Sequence, residues 1–421
     1  MPDRPHPSLQ IALTCPGFEQ PQFSSFVHNL TKIRLFRLLL KITWLPALLF
    51  VYPLALLKRR LALRHIFFFD RYSLGGAQRV HLDILESIPQ AQKLVLFTRY
   101  SPDEVMKPAF EASPATSCRD IHAWCDNLLL RLFTVHYWAF FLNRHRKLTI
   151  LSSNSTFFYD LLPWLRKDFF CLELLHNFTY GKRGMEAFGL ATHTWLDKRL
   201  VVDHYTAQNI RDQYAANGIA ALYNERIQVI EPGVEVPAEL PRKTGTPLVV
   251  LYAGRGGEQK RVWLIDRIAA HCYKEDWPVI FHFAGNPDAD LTPEVIARSV
   301  MHGQISDLQR MRQLYAESHV ILLTSAYEGF PMFIKEGMAM GCIPVVTALP
   351  GNKTHLRQGE NALLIEDVEN EDSVVAKGIT HLQTLLADPG LRGQLSTSAA
   401  TYAKMHFSKE RFREAYVQLL Q

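Results

Sequence analysis

The sequence predicts an α/β protein: two successive parallel-sheet units of similar size behind a basic, apolar leader. Three observations predict it. From residue 65 onward, apolar runs of strand length alternate with amphipathic stretches of helix length. A proline-rich interruption at 234–247 is followed by the same alternation again. The chain has 421 residues, 48% apolar and 21% charged, so its composition is ordinary for a globular protein and its length allows two or three domains.

The leader, residues 1–64, comes first. It holds nine Lys/Arg (Arg4, Lys32, Arg34, Arg37, Lys41, Lys58, Arg59, Arg60, Arg64) against Asp3 and Glu19, while the whole chain is only +5. The body is therefore near neutral and lacks the basic face that a nucleic-acid-binding domain needs. Within the leader, ITWLPALLFVYPLALL (42–57) carries no charge and is flanked by the basic clusters. Its 16 residues fall short of the ~20 that span a bilayer. Pro46 and Pro53 would kink a spanning helix. No small-residue cleavage site follows, so it is not a signal peptide. Three readings stay open: a helix lying on or dipping into an anionic cytoplasmic membrane face, a helical hairpin packed on the body, or a true span.

In the first unit, expected over 65–240, HIFFFD (65–70) is a strand followed by the loop RYSLGG and a helix from Ala77. KLVLFT (93–98), LTILSS (148–153), FFCLELL (169–175), RLVVD (199–203) and RIQVI (226–230) are further strands. An aromatic-rich helix is expected over 121–145 and another from 153 to about 166. VEVPAELPRKTGTP (234–247) reads as a linker. The second unit, expected over 241–407, has strands LVVLYAG (248–254), VIFHFAG (279–285), HVILLTS (319–325) and IPVVTA (343–348). Helices are expected at 260–275, 306–317 and 331–340, and a closing helix at 408–421. Two Rossmann-like domains facing across a cleft follow, with ligands at the carboxyl ends of the strands.

The strand ends carry the chemistry. LVVLYAG closes on Gly254 and is followed by Arg255 and, five positions on, Lys260 near the next helix start. Two cations and a helix N-terminus at a sheet edge suit a diphosphate, although Arg and Lys after a strand are also common surface charge. Gly285 lets a ligand or backbone approach closely. After HVILLTS comes Glu328-Gly329-Phe330-Pro331, with Pro331 fitting the first position of a helix and Gly329 and Phe330 forming the turn. Glu328 and Glu336 can both reach the strand-end edge, where a carboxylate accepts hydrogen bonds from paired hydroxyls of a polyol. The helix dipole alone could account for Glu328. It does not explain Glu336 among Phe333, Ile334, Met338 and Met340.

These residues resemble a known family. Glu328-x7-Glu336 in GFPMFIKEGMAMGCIPVV, after a Ser-containing strand, is similar to the signature of retaining GT-B glycosyltransferases of family 4 (glycosyl transferases group 1). Gly254-Arg255-x4-Lys260 resembles that family's diphosphate motif, LGGAQR (74–79) its first-loop Gly-Gly motif, and VIEPGVE (229–235) its inter-domain segment. The resemblance runs over 65–421 and departs at Gln78, Gly256-Gly257, Arg261 and Pro232-Gly233. It implies transfer of a sugar from a UDP- or GDP-linked donor with retained anomeric configuration and no metal, because cations and a helix dipole take the metal's place. The implied acceptor is a glycan or lipid-linked molecule, in cell-surface polysaccharide or glycolipid synthesis. Arg255 and Lys260 would stabilise the departing diphosphate, Glu328 hold donor-sugar hydroxyls and Glu336 the ribose. Gly75, Gly76, Gly254, Gly285, Gly329, Phe330, Pro331 and Met332 would line the donor. His176, at the end of FFCLELL, would lie near the acceptor, with Arg79 and Asn177 as weaker candidates; a lone histidine is also an ordinary structural residue.

Other readings were weighed on the same residues. A GT-B epimerase or phosphorylase, or a non-catalytic membrane-attached sugar-nucleotide-binding protein, would share the fold. Asp288-Ala-Asp290 has the spacing of a metal-binding pair, but in NPDADLTPE turn and N-cap chemistry explains it. There is no Ser-His-Asp arrangement in credible order, no P-loop and no G-x-G-x-x-G after a strand, so hydrolase, kinase and dehydrogenase readings lack support. Six scattered cysteines without a C-x-x-C pair read as reduced core residues of a cytoplasmic protein. The leader adds the expectation that it is peripheral on the inner face of a membrane.

Overall fold

The structure is a computed structural model that describes residues 23–57, 63–178, 184–243, 245–305 and 307–421, with side chains from residue 35 onward. Residues 1–22 and the basic cluster at 58–60 lie outside the described residues. The chain divides into two compact units, Met1–Ile230 with Glu414–Gln421, and Glu231–Arg413. The division falls ahead of the expected 240/241 boundary. The proline-rich segment belongs to the second unit because Val234 is buried and pairs with the chain near its end, Val234 N–H donating to Phe407 O at 2.7 Å.

The first unit contains α1 (Phe23–Leu57), β1 (His65–Phe69), α2 (Gly76–Ser87), β2 (Lys93–Phe97), α3 (Lys107–Ala112), β3 (Thr116–Asp120), α4 (His122–Asp126), α5 (Leu128–Asn143), β4 (Thr149–Ser153), α6 (Thr156–Leu161), β5 (Phe170–Leu175), α7 (Met185–Thr192), β6 (Lys198–Val201), α8 (His204–Ala216) and β7 (Ile227–Val229). The strands form one parallel sheet in the order β3-β2-β1-β4-β5-β6-β7. Every residue of β1 and β2 is buried, as expected of strands covered by helices on both faces.

The second unit contains β8 (Leu248–Arg255), α9 (Val262–Lys274), β9 (Val279–Asn286), α10 (Pro293–Arg298), β10 (Val300–Gly303), α11 (Leu308–Glu317), β11 (Val320–Leu323), α12 (Met332–Ala339), β12 (Ile343–Thr347), α13 (Pro350–His355), β13 (Leu363–Ile365), α14 (Glu371–Ala387) and α15 (Pro389–Phe407). Its sheet is also parallel, in the order β10-β9-β8-β11-β12-β13. The last helix, α16 (Lys409–Leu420), starts in the second unit and ends in the first. There, His65 Nε2 lies 2.8 Å from the carbonyl oxygen of Leu420.

Each sheet winds outward in both directions from its first strand. The crevice where strand order reverses lies between β1 and β4 in one unit and between β8 and β11 in the other. The second of these receives the Arg255–Lys260 loop from one side and the 324–330 loop from the other.

Several elements differ from the sequence expectation. Strands β3, β10 and β13 were not foreseen. All three are edge strands, and β3 (TSCRD) and β10 (VMHG) are largely exposed, so they lack the apolar run that marks an interior strand. The helix expected over 121–145 is broken at Asn127, whose side chain accepts from the N–H groups of Leu129 and Leu130 and starts α5 anew. The helix expected to reach 166 stops at Leu161, followed by a short 3-10 turn around Pro163. In the leader, the described residues form one helix that continues through Pro46 and Pro53.

Candidate functional site

Strand β8 is buried from Leu248 through Tyr252 and emerges at Arg255. The Tyr252 hydroxyl donates to the Arg255 carbonyl oxygen at 2.5 Å, which holds the chain where it leaves the sheet. Burial, reinforced by the nearby carboxylates of Glu328 and Asp290, pushes the Tyr252 phenol up, so it remains a donor. A turn then closes from Gly257, whose φ of +103° a side chain would strain, with Lys260 and Arg261 N–H both donating to Gly257 O at 3.0 and 2.9 Å. The turn is held from outside by Asp290, whose Oδ2 accepts from Gly257 N–H at 2.5 Å. Asp290 thus has a loop-holding role, and Asp288 and Asp290 belong to a short 3-10 turn.

This loop is laced to the loop that follows β11. Ala326 N–H donates to Gln259 O at 2.9 Å, and the Gln259 amide donates to Tyr327 O at 3.2 Å. The Thr324 hydroxyl lies 3.0 Å from Arg261 O and 3.2 Å from Lys260 O. Arg261, one of the departures from the family pattern, is buried, and its guanidinium donates to Thr324 O, Ser325 O and Val368 O. Its role is to tie the two loops together. At the mouth of this framework, Lys260 forms an ion pair with Glu328, both side chains being largely buried. Arg255, at the end of β8, is exposed and lies opposite Asn286 of β9.

Pro331 is the N-cap of α12, with φ −63° and ψ 142°, one residue earlier than the expected first helical position. Its carbonyl accepts from Ile334 N–H at 3.0 Å. Met332 opens the helix. Glu336, on the second turn, is partly buried, and its Oε2 accepts from the hydroxyl of Tyr315 on α11 at 2.7 Å. The tyrosine supplies the polar partner that an apolar neighbourhood otherwise denies a carboxylate.

Two of the predicted donor-lining residues also make packing contacts. The ring of Phe330 turns into the core, 4.6 Å from the ring of His355 and 5.4 Å from Phe407, leaving only its backbone at the turn. Behind it, buried Lys335 lies over the Phe330 and Phe407 rings and 3.6 Å from Glu231, which also takes His355 Nε2 at 2.6 Å. Sequence reasoning missed this cluster, because its members are remote in the chain. Gly285, at φ +101°, is register partner to Gly254, and a Cβ there would sit 2.1 Å from Gly254 O. The close approach it permits is that of a neighbouring strand. The turn at Gly329 is packed against α13, where a Cβ on Gly351 would lie 2.0 Å from Gly329 O.

Gly75, Gly76 and His176 lie in the first unit. Gly75 is extended backbone before α2, and Gly76, its first residue, has open space where a Cβ would point. His176 follows β5, with Asn177 exposed beyond it; Arg79 lies on α2. The partner of His176 is His81 of α2, a pairing with no signal in the sequence because the two lie 95 positions apart. The two Nε2 atoms are 3.1 Å apart, and His81 stacks on Phe69 at 3.9 Å between ring centroids. One ring must donate and the other accept, so the accepting ring is neutral. Burial lowers His176 to about 4, and burial with the adjacent His176 holds His81 well below the usual imidazole range, which favours neutral rings for both. His282 on β9, buried beside His302, is likewise lowered to about 4. In the unfolded chain these rings take up protons near pH 6.5, so between pH 6.5 and 4 the unfolded state binds more protons than the folded one. Stability is therefore fully present above pH 6.5 and is lost as pH falls toward 4, at up to ~1.4 kcal/mol per pH unit per histidine. Thermal midpoints measured from pH 7.5 to 4.5 should fall steadily below 6.5, and His81→Phe with His282→Phe should flatten the decline.

Residues 247–384 match the family model described as glycosyl transferases group 1. Among curated proteins, the D-inositol 3-phosphate glycosyltransferase of Acidothermus cellulolyticus is 26% identical over 239 residues. That alignment takes in 51% of this chain and 49% of the relative, so the match spans about half the length of each. A glycosyltransferase structure from Rickettsia africae superposes with a TM-score of 0.65 at 14% identity, covering 86% of this chain and 98% of that one. The Anabaena protein Alr3699/HepE, solved with UDP, gives 0.65 at 15% identity, covering 85% and 99%. These likenesses establish the fold as GT-B.

Proposed function

We propose that this GT-B chain, whose second unit matches glycosyl transferases group 1, transfers a sugar from a UDP- or GDP-linked donor to a glycan or lipid-linked acceptor in the cytoplasm, with retention of anomeric configuration. The observation that carries the reading is the laced pair of loops at the β8/β11 switch point, where Lys260 and Glu328 are paired and Arg255 ends β8. The hydrogen bonds between the loops fix the backbone that carries the cation and the carboxylate before any ligand arrives, so binding has only to redirect the Lys260 side chain.

In the reaction, the bond between the anomeric carbon and the diphosphate oxygen breaks, and negative charge grows on the diphosphate. Arg255 and Lys260 offset that charge, each charge-assisted contact contributing on the order of 1.5–3 kcal/mol. Lys260 turns from Glu328 toward the diphosphate or is shared by both. Glu328, so released, accepts from donor-sugar hydroxyls, and Glu336, oriented by Tyr315, accepts from the ribose. The cations do the work for which a divalent metal would otherwise be needed. The HepE structure solved with UDP supports a uridine nucleotide as the first donor to try.

A thermal-shift screen tests the donor class. A ligand that binds only the folded state at 100 times its Kd adds ~2.7 kcal/mol. UDP or GDP should raise the midpoint, equally with and without EDTA, while NAD and ATP should not. A shift with NAD or ATP alone would overturn the reading, and a UDP shift abolished by EDTA would overturn the metal-free mechanism. Donor turnover that needs no acceptor would favour an epimerase instead.

A further inference from the structure

We propose that α1 docks this protein in the plane of an anionic membrane surface, lying along it without crossing it. By length and composition alone, Leu35–Leu57 could cross a membrane. Its packing says otherwise. Leu40, Ala47, Val51 and Ala55 form a buried stripe at helical spacing. The stripe is seated on α5 along its length. Arg131 lies over the Phe36 ring, His136 Nε2 is 3.1 Å from Leu40 O and 3.2 Å from the Thr43 hydroxyl, the Tyr52 and Phe140 rings meet edge-on at 4.9 Å, and Arg144 donates to Ala55 O at 2.7 Å. Arg37 also sits over Trp195. Crossing a bilayer would require α1 to leave all of these partners.

The opposite side of the helix is as apolar as the seated side and faces outward. Leu38, Ile42, Leu45, Leu49, Leu54 and Leu57 are exposed, Leu49 at 65%, and Phe50 beside them at 71%. The contacts with α5 run in the same direction along both helices, so the start of α5 lies beside the Leu35–Leu38 end of α1. That start is apolar and exposed too, with Leu128, Leu129 at 70% and Phe133. Such a surface is larger than the single exposed leucines of an ordinary soluble face.

Charge selects the occupant. Helix α1 contains Lys32, Arg34, Arg37 and Lys41 and no acidic residue, and the sequence continues with Lys58, Arg59, Arg60 and Arg64. In the sequence, cations flank the apolar strip on both sides, and Lys41 and Arg64 are exposed; this charge matches the headgroups of an anionic leaflet, with the strip sunk to the acyl boundary. A second copy of the chain would bring the same positive charges face to face. The inference concerns the first unit alone and stands whether or not the chain transfers a sugar.

The test uses the full-length chain and vesicles of phosphatidylglycerol with phosphatidylethanolamine, against phosphatidylcholine vesicles. Leu45→Glu with Leu49→Glu should raise the lipid concentration for half-binding by at least about tenfold, with the thermal midpoint unchanged because both side chains already face solvent. The milder Leu49→Gln should show a smaller shift in the same direction. Fluorophores at 38, 49 and 57 should all be quenched by shallow lipid nitroxides. Wild-type binding by the double variant would overturn the proposal. So would deep quenching at 49 with 38 and 57 on opposite leaflets, which is a span. A lipid-free dimer that the double variant dissolves, without vesicle binding by the wild type, would assign the surface to a second copy instead.

Discussion

Replacing Arg255 or Lys260 by alanine is expected to lower turnover by ~10²–10³, the loss found when one donor to a developing negative charge is removed. The two variants should differ in kind. Arg255 is exposed, and in the proposed mechanism it acts only on a bound diphosphate. Its loss should fall on turnover and on affinity for the nucleoside diphosphate, with the fold untouched. Lys260 is already paired with Glu328. Its removal also leaves a largely buried carboxylate uncompensated, so Lys260→Ala should lower the thermal midpoint as well as turnover. Adding Glu328→Gln to Lys260→Ala should restore the midpoint without restoring activity. Release of nucleoside diphosphate, measured with the donor that the thermal-shift screen identifies, gives turnover; near-normal rates in both single variants would remove these cations from the mechanism.

Arg199→Ala is expected to destabilise the first unit by ~3–5 kcal/mol, the cost of breaking a buried ion pair from one side. Arg199 of β6 and Glu173 of β5 are register partners, both about 1% exposed, with Arg199 Nε 2.5 Å from Glu173 Oε2. Tyr159 of α6 also donates to Glu173, and Arg199 donates to the Tyr214 hydroxyl of α8 at 3.1 Å. Gly189 of α7 leaves room for the guanidinium, since a Cβ there would fall 2.1 Å from it. The network clamps β5, whose end carries His176, to the strand beside it. Truncating Arg199 strands the Glu173 charge where no water reaches it. The joint replacement Glu173→Leu, Arg199→Met, Tyr159→Phe removes the charge and its partners together and should lie much closer to wild type in a urea titration. A loss below ~1 kcal/mol for Arg199→Ala would mean the pair adds nothing beyond packing.

Much of the scaffold was legible because its signals are local. An interior strand such as HIFFF is a run of five buried residues, and covered strands of this kind read directly as apolar runs. The order of elements then led to two parallel sheets, and the strand ends led to Gly254, Arg255, Lys260, Glu328 and Glu336. The edge strands β3 and β10 escaped because they are largely exposed and a polar stretch such as TSCRD has no period to read, and β13 escaped because three buried residues are too short a run. The break at Asn127 was hidden inside a long aromatic run. For Phe330 the motif pointed to the backbone at the turn and left the direction of the ring open, and for Gly285 it left open whether a ligand or the next strand comes close.

By itself, the sequence determined the α/β alternation, the places where strands end and the residue types waiting there, because each depends on neighbours a few positions away. Only the tertiary structure decided that Lys260 meets Glu328, that Asp290 holds the Gly257 turn, that Tyr315 steadies Glu336, that His81 pairs with His176, and that α1 spends one face on α5 and keeps the other outside. Those are encounters between side chains far apart in the chain. Their energies depend on distance, burial and the polar partner each group finds, none of which exists until the sheets have brought the strand ends together.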